Sequence, residues 1–216
     1  MIDWEKHKFN EVVNIVGEYT VLDLSKGHWV APETEFSVGK YDELRPGLYN
    51  TEIFAGERFL HMGIDICGPV GTPCMSFMEG EISHFGYNPE PGDYGNVIIS
   101  KHDLDGVSLW ALYGHLSDES IEKMRVGKKI SPGEVIAWFG DYHENGGWEP
   151  HLHFQLSLVE PTTHDLPGVV SPPRKRAGSQ RLSRSKISPW ATLLKGREVG
   201  LQRLYRRHIR WIFARQ

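Results

Sequence analysis

The sequence predicts a mostly β protein in which antiparallel sheets carry a loop-rich rim and helices are few and short. From Gly47 to Val170 the chain consists of short β-like runs that are separated by turn residues. The 23 glycines and 13 prolines among 216 residues indicate frequent turns. Hydrophobic residues make up 39% of the chain, which is enough for a core and argues against wholesale disorder.

Five longer strands are predicted in this region, each bounded by turn residues. They are Phe77–Phe85, Asn96–His102, Leu109–Tyr113, Val135–Phe139 and His151–Val159. The segments between them, such as Asp105-Gly106 and Asn145–Gly147, are typical of tight turns. Ser117–Met124 predicts a short helix, because it begins with a serine and has acidic residues in its first turn.

The first 45 residues are mixed in character and predict an extension that packs on the central domain. Within it, Glu11–Val16 predicts a short helix and Tyr19–Leu22 predicts a strand. We therefore divide the chain into an N-terminal extension (residues 1–45), a central domain (46–171) and a tail (172–216). The sequence contains no run of about 18 apolar residues, so it predicts no membrane-spanning helix.

Three groups of histidines lie at predicted strand ends, beside Gly or Pro turns. They are His61-Met-Gly-Ile-Asp65, His115 within Tyr113–Ser117, and His151-Leu-His153. Residues i and i+2 of a strand face the same side, so His151 and His153 are neighbours within reach of one ion. A catalytic zinc needs three protein ligands and an open position for water. His61, Asp65 and one histidine of the pair meet this need, which leaves the other histidine and His115 to transfer protons or to stabilise an oxyanion.

Each of these patterns is weak when taken alone, because most His-x-His pairs and single histidines are ordinary strand residues. The occurrence of all three in this order favours a metal site. The two cysteines, Cys67 and Cys74, cannot form a disulfide scaffold. Cys67 follows Asp65 by two residues, but the zinc set is complete without it, so we interpret both cysteines as small buried residues.

The stretch from about Asn50 to Val159 resembles the zinc endopeptidase family of lysostaphin and LytM, whose members cut peptide cross-links in bacterial cell walls. The family pattern combines His-x-x-x-Asp, a Gly-x-Gly-Asn segment, Tyr-x-His-Leu and Gly-Pro-His-Leu-His-Phe. The corresponding segments are His61–Asp65, Asp93-Tyr-Gly-Asn96, Tyr113-Gly-His115-Leu116 and Pro150-His151-Leu-His153-Phe154. The sequence departs from the family at Trp148-Glu149-Pro150, where Thr-Gly-Pro is usual; this changes a loop and no ligand.

The resemblance implies a lysostaphin-like, barrel-sandwich-type fold in which antiparallel sheets form an open groove with zinc at its floor. By the same resemblance, His61, Asp65 and His153 would bind Zn²⁺, and His115 and His151 would be catalytic histidines that do not bind the metal. Substrate would contact Tyr94, Asn96, Tyr113 and Trp148, with core packing as the alternative for the aromatic residues.

The implied activity is zinc-dependent hydrolysis of peptide cross-links in peptidoglycan or a similar peptide. The alternative is a regulatory module on the same fold that binds zinc or cell-wall peptide without turnover. A third interpretation, a carrier-type domain at Gly80–Ala137, lacks an exposed lysine at a hairpin tip for lipoyl or biotin attachment. The expected partner is a peptide rather than nucleic acid, and we expect a monomer. No residue decides which peptide bond is cut.

The start of the chain bears on localisation. Met1–Lys8 carries charges where a signal peptide needs an apolar stretch. The sequence as written therefore predicts a cytoplasmic protein, unless the true start lies upstream or export is non-standard.

The tail differs sharply in charge from the rest of the chain. From Arg174 onward lie 13 of the 24 Lys and Arg residues but one of the 28 acidic residues, Glu198. The family domain normally ends in Asp-Pro-x-x-Tyr-Leu, and back-translation of Leu182–Leu194 in another reading frame gives Tyr-Pro-Asp-Pro-Lys-Tyr-Leu-Leu. We therefore interpret the tail as translated out of frame and disordered. The alternative is a genuine basic tail that contacts nucleic acid or a membrane, and the codons of the gene decide between the two.

Overall fold

A computed structural model describes residues 6–172 of the chain. The interpretation of the tail as out of frame therefore lies outside the described residues and stays a prediction. Between residues 6 and 172, no helix is long and apolar enough to cross a membrane.

Most of the regular secondary structure in the described part of the chain consists of strands. In chain order they are β1 (Tyr19–Val21), β2 (Phe36–Gly39), β3 (Glu43–Leu44), β4 (Leu60–His61), β5 (Ile64–Cys67), β6 (Pro73–Met75), β7 (Gly80–Asn88), β8 (Gly95–Leu104), β9 (Val107–Leu116), β10 (Lys129–Ile130), β11 (Val135–Trp138), β12 (His151–Ser157) and β13 (Val169–Val170). The helical elements are α1 (Asp118–Glu122) and two 3₁₀ turns at Leu24–Lys26 and Glu52–Phe54.

Eight strands form the main sheet, in the order β1-β2-β5-β12-β9-β8-β7-β10. All neighbours in it are antiparallel except β1 and β2, which run parallel. Two small antiparallel sheets accompany it, β11-β6 and β13-β4-β3. The predicted fold class, mostly β with antiparallel sheets and few short helices, is confirmed.

The hairpin of β8 and β9 forms the centre of the main sheet. Its two-residue turn, Asp105-Gly106, has φ angles of 55° and 78°. These angles are those of a type I′ turn, whose twist matches the twist of the flanking strands. Both strands run to ten residues, longer than the sequence predicted.

Both faces of β8 are buried, each against a different apolar cluster. Ile98 lies in the larger cluster together with Ile66, Leu152 and Phe154. Val97 and Ile99 point to the other face, where they pack with the smaller cluster of Tyr94, Trp110, Leu112 and Leu166. Burial on both faces explains why Val97, Ile98 and Ile99 are three consecutive apolar residues in β8 rather than alternating with polar ones.

The N-terminal part of the chain contains one wrong prediction. Residues 11–16 form no helix. The backbone N–H of Met75 instead donates to the carbonyl of Val12, at 2.8 Å, and the N–H of Asn10 donates to the carbonyl of Phe77, at 2.7 Å. Val12 and Val13 are buried in the larger cluster, so tertiary packing overrides the weak helical pattern.

The other local predictions are confirmed with shifted ends. The predicted helix at residues 117–124 is α1, and Ser117 is its N-terminal flanking residue. The predicted strand at residues 19–22 is β1. Strands β1, β2 and β3 show that residues 19–44 are hydrogen-bonded into the sheets of the domain.

Candidate metal centre and active site

The candidate residues converge where the main sheet meets the small sheet β13-β4-β3. Asp65 on β5 lies directly opposite His153 on β12 in the strand register. His61 ends β4 in the small sheet, and the chain passes into the main sheet through Met62 and Gly63. Two sheets thus supply His61 and Asp65, although only four positions separate them in sequence.

Gly63 has a steric reason to lie in this motif. A Cβ atom at this position would come within 2.4 Å of the imidazole of His153. Real Cβ contacts are never this short, so a larger residue would displace the ring. The glycine allows the backbone of the His61–Asp65 segment to pass directly against His153.

Three side-chain atoms meet at almost equal distances. His61 Nε2 lies 3.0 Å from His153 Nδ1, and each of these nitrogens lies 3.1 Å from Asp65 Oδ1. All three side chains are buried. This is the one group of three His, Cys, Asp or Glu ligand atoms within residues 6–172 that is arranged to hold a metal ion.

The surroundings determine which ring nitrogens carry hydrogen. His61 Nδ1 lies 2.9 Å from the carbonyl oxygen of Lys40, which can only accept, so Nδ1–H donates there. His153 Nε2 lies 3.1 Å from Gln155 Oε1, and the amide of Gln155 is oriented by its donation to the Pro167 carbonyl. Hence Nε2–H of His153 donates to Gln155. In the neutral rings, His61 Nε2 and His153 Nδ1 then carry lone pairs.

Two imidazole lone pairs and a carboxylate oxygen therefore face one another with no hydrogen between them. Such an arrangement is repulsive in a buried place unless a cation lies among the three atoms. Zinc bonds of about 2.0–2.1 Å in a tetrahedral site place ligand atoms about 3.3 Å apart. The observed separations of 3.0–3.1 Å are close to this value. The donor set fits a zinc ion with two imidazoles and one carboxylate.

The protonation states agree with this donor set. Burial, reinforced by Arg45 and opposed by Asp65, lowers the pKa of His61 from 6.5 to about 4. Burial alone would raise the pKa of Asp65, but the neighbouring His61 and Arg45 outweigh it and hold this pKa well below its usual range. At neutral pH the site therefore contains a neutral imidazole at His61 and an ionised carboxylate.

His115 and His151 lie side by side next to these three donors. Their ring centroids are 4.1 Å apart, and His151 Nε2 is 3.8 Å from Asp65 Oδ1. His115 Nδ1–H donates to the Asn145 carbonyl at 2.7 Å, and His151 Nδ1–H donates to a carbonyl at 2.6 Å, that of Glu149. In both neutral rings Nε2 is therefore the atom that can accept a proton.

Burial keeps both of these rings neutral. Burial and the proximity of His151 hold the pKa of His115 well below its usual range. Burial likewise lowers the pKa of His151, although Asp65 acts in the opposite direction. Two adjacent neutral imidazoles with free Nε2 atoms can take up one proton between them and release it again.

His115 reaches this position through an irregularity in β9. Its φ angle is 64°, in the left-handed region that residues other than glycine rarely adopt. The pairing of β8 and β9 shifts register at this place. The bulge redirects the imidazole of His115 out of the strand alternation and towards His151.

A groove of about 480 Å³ runs over this cluster. Its floor contains His61, Asp65, His115, His151 and His153. Its walls are largely apolar and aromatic, and they include Leu24, Trp29, Leu48, Tyr49, Phe54, Tyr142 and Trp148. An open groove of this kind can accommodate an extended peptide above the cluster.

Residues 59–164 match the profile of Peptidase family M23. The chain contains an M23 peptidase domain. This confirms the resemblance that the sequence motifs predicted.

Several curated proteins are similar to about half of this chain. The DD-carboxypeptidase/endopeptidase Mpg of Neisseria meningitidis is 35% identical over 112 residues, 50% of this chain and 23% of Mpg. The peptidoglycan DD-endopeptidase ShyA of Vibrio cholerae is 29% identical over 119 residues, 53% of this chain and 25% of ShyA. Lysostaphin of Staphylococcus simulans is 34% identical over 97 residues, 44% of this chain and 18% of lysostaphin. The solved structure of the lysostaphin catalytic domain from Staphylococcus simulans aligns with 53% of this chain. The alignment covers 77% of the solved lysostaphin chain, at 28% identity and a TM-score of 0.39. The matches thus span a quarter or less of the full curated relatives.

Two of the residues predicted to contact substrate line the groove of the M23 domain. Tyr94 packs against the rings of His115 and His153, and its hydroxyl donates to the Leu166 carbonyl at 3.0 Å. Trp148 is half-buried and donates from Nε1 to the Asp93 carbonyl at 3.2 Å. Both therefore form the wall of the groove.

The other two predicted substrate contacts need correction. Tyr113 is fully buried in the larger apolar cluster, where its ring packs against Phe154. Asn96 is buried, and its amide nitrogen donates to Asp118 Oδ1 at 2.7 Å, which ties β8 to α1. Neither residue lines the groove, so both support the site from within the fold.

A residue that sequence reasoning missed, Arg45, contacts the cluster directly. Its Nη1 donates to Asp65 Oδ2 at 2.6 Å, and its Nε donates to Glu43 Oε2 at 3.0 Å. The neighbouring carboxylate of Asp65 outweighs burial and raises the pKa of Arg45 above its ordinary value. No motif marks this arginine, because it lies 20 positions before Asp65 in a stretch without periodicity.

Proposed function

We propose that this M23 domain is a zinc-dependent endopeptidase that hydrolyses peptide cross-links of peptidoglycan. The observation that carries the proposal is the meeting of three buried lone pairs, from His61, Asp65 and His153, beside two neutral imidazoles with free Nε2 atoms. The similarity to Mpg and ShyA, which are named as endopeptidases, supports a peptide substrate.

In this proposal His61, Asp65 and His153 hold the zinc ion. Bound zinc would polarise the scissile carbonyl and acidify a water molecule. The second nitrogens of His61 and His153 are tied to Lys40 and Gln155, which fixes both ring orientations. Partners of this kind set the tautomer of a metal-binding histidine and keep its lone pair directed at the ion.

His115 and His151 perform the proton transfers. One of them accepts a proton at Nε2 as the attacking water loses it and returns it to the leaving amine. The other takes a proton from solvent at its own Nε2 and, as an imidazolium, donates a hydrogen bond from this atom to the oxyanion of the tetrahedral intermediate, because its Nδ1–H is already donated to a backbone carbonyl. The pair is symmetric in its contacts, since each ring donates from Nδ1 to a backbone carbonyl, so the assignment of the two roles stays open.

The substrate lies along the groove, with its scissile bond over the five-residue floor. Trp148 and Tyr94 line one part of the wall, and Leu24 and Trp29 belong to the N-terminal part of the chain. These apolar and aromatic side chains contribute affinity by burying substrate surface.

Digestion of isolated peptidoglycan tests the proposal. The full chain, loaded with zinc, is incubated with DD-cross-linked peptidoglycan and separately with a pentaglycine peptide, and new amino termini are read by mass spectrometry. We expect cleavage that a chelator abolishes and that identifies the bond. A folded, zinc-containing sample that yields no new amino termini from either substrate would contradict the proposed activity and favour a binding role.

A further inference from the structure

We propose that Arg45 is a positioning residue that orients two of the three metal donors, Asp65 directly and His61 through the backbone carbonyl of Lys40. The inference rests on the proposed zinc site and concerns how its donor atoms are held in place.

The first contact fixes the carboxylate of Asp65. Arg45 Nη1 donates to Oδ2 at 2.6 Å, whereas the other oxygen, Oδ1, faces His61 and His153 at 3.1 Å. A carboxylate that is anchored through one oxygen keeps little freedom to rotate. Arg45 therefore determines which oxygen is presented to the metal.

The second contact reaches His61 through a shared acceptor. The carbonyl of Lys40 accepts from Arg45 Nη2 at 3.3 Å and from His61 Nδ1 at 2.9 Å. A carbonyl oxygen has two lone pairs, so it can accept both hydrogen bonds at once. The guanidinium and the imidazole are thereby held to the same backbone atom.

Arg45 is itself held rigidly. It is 3% exposed, its Nε donates to Glu43 Oε2 at 3.0 Å, and its Nη1 also lies 3.1 Å from the Tyr49 hydroxyl. Glu43 is fixed in turn by the N–H of Leu24 at 3.2 Å and by Lys40 Nζ at 2.9 Å. A planar guanidinium with five N–H groups can satisfy this set of acceptors, whereas a lysine ammonium cannot.

Gly39 makes room for this arrangement. A Cβ atom on Gly39 would lie 2.7 Å from Arg45 Nη2 and 3.2 Å from Asp65 Oδ2. The backbone of β2 therefore lies against the ion pair with no side chain between them. The close packing removes the alternative positions that Arg45 could otherwise adopt.

Geometry and charge make different predictions for this residue. If Arg45 acts only through its positive charge, lysine replaces it. If it acts by orienting donors, lysine fails, because its ammonium cannot contact Asp65 and the Lys40 carbonyl in the same fixed geometry.

The experiment compares Arg45→Gln, Arg45→Lys and wild type in the full chain. Zinc affinity is measured by competition with a chromogenic chelator, the ligand geometry by the visible spectrum of the Co²⁺-loaded protein, and folding by thermal denaturation of the metal-free protein. Lys128→Gln is the matched control, because it breaks an ion pair with Glu134 that is not part of the groove.

We expect both Arg45 variants to bind zinc about 10–100-fold more weakly and to show an altered cobalt spectrum. Lys128→Gln should match wild type in both. If Arg45→Gln does not fold, Arg45→Lys and the milder Glu43→Gln still test the proposal, and Glu43→Gln should also weaken zinc binding. Unchanged zinc affinity and cobalt spectrum in the folded variants would overturn this inference but not the proposed function. Wild-type zinc affinity and spectrum in Arg45→Lys would do the same. Failure of the wild-type protein to bind zinc would overturn the proposed function and this inference together.

Discussion

Two buried histidines, His61 in the small sheet and His102 in the main sheet, differ in one respect. His61 and His102 are both buried, and burial lowers the pKa of each from 6.5 to about 4. His102 Nδ1–H donates to the Glu79 carbonyl at 2.7 Å, and its Nε2 lies 2.7 Å from the Ser100 hydroxyl, which can donate to it. Both of its nitrogens are satisfied. The second nitrogen of His61 instead faces a carboxylate oxygen and another imidazole lone pair.

The comparison shows that burial and a lowered pKa do not distinguish a site from a structural residue. The Ser100–His102 pair even resembles a nucleophile and its base, but both side chains are buried and neither lines the groove. The two environments differ in hydrogen bonding. The Nε2 lone pair of His102 faces a hydroxyl that can donate to it, whereas the lone pairs of His61 Nε2 and His153 Nδ1 face no donor. At His61 and His153 that lone pair is directed at a place which a cation can occupy.

The largest expected effect separates the three kinds of histidine. His153→Ala should lose both zinc and activity, because a donor is removed. His115→Ala should retain zinc but lose activity by about 10²–10⁴-fold, since it removes one of the two histidines that transfer the proton or stabilise the oxyanion. His102→Gln should retain both. Zinc content by elemental analysis and peptidoglycan digestion test the three variants together. Equal zinc loss in His153→Ala and His115→Ala would contradict the division of roles.

A substitution at Gly63 should disturb the metal site without replacing any of the three metal donors. Gly63→Ala places a Cβ atom against the imidazole of His153, so zinc affinity and activity should fall by about 100-fold. Gly71→Ala is the matched control, because its added Cβ has nothing within 4 Å, although its φ of 77° makes alanine unfavourable. It should lower stability by about 1 kcal/mol and leave zinc affinity unchanged. Equal zinc affinities for the two variants would refute the close contact.

The pH dependence of stability should reveal His102 as a structural histidine. Burial lowers the pKa of His102 to about 4 in the folded protein, whereas the unfolded chain has the ordinary value of 6.5. The unfolded chain therefore binds the proton more readily. Its stabilising contribution is complete above pH 6.5 and is lost as the pH falls towards 4. The free energy of unfolding of wild type, relative to His102→Gln, should therefore fall by up to about 1.4 kcal/mol per pH unit in this window.

The measurement uses urea denaturation of both metal-free proteins between pH 5 and 7. Protonation of the groove histidines occurs in both proteins and largely cancels in the difference. A difference in unfolding free energy that does not change with pH would show that His102 titrates normally.

The smallest expected effect concerns the backbone of His115. Because His115 has a left-handed backbone, His115→Gly should be about 1 kcal/mol more stable than His115→Ala. His151 lies in the extended strand β12, so the order should reverse there, and His151→Ala should be more stable than His151→Gly. Chemical denaturation of the four proteins measures both differences. The same order at both positions would contradict the strained backbone at His115.

Local motifs made much of the site predictable. His61 and Asp65 are four positions apart, and His151 and His153 share a strand face, so spacing alone placed these groups near one another. The strands were also predictable from local sequence, because turns such as Asp105-Gly106 mark their ends. The helix prediction at residues 11–16 failed because backbone bonds from Asn10 and to Val12 join another part of the fold.

Long-range packing was not predictable from spacing. Strand alternation would place Tyr113 and His115 on the same face, but the left-handed backbone of His115 breaks the alternation. Tyr113 therefore enters the core while His115 reaches the groove. Arg45 was missed because its contact with Asp65 depends on the pairing of β3, which it directly follows, with β4, and no local pattern encodes this pairing.

The most direct test of the account observes the histidine nitrogens themselves. Long-range ¹H–¹⁵N correlation spectra of the full chain, recorded before and after one equivalent of Zn²⁺, report which ring nitrogens carry hydrogen or metal. The account predicts that His61 Nε2 and His153 Nδ1 change on zinc addition, while the ring nitrogens of His102 stay as they were. Zinc-induced coordination at His115 or His151 in place of these two atoms, or no change at any histidine, would contradict it.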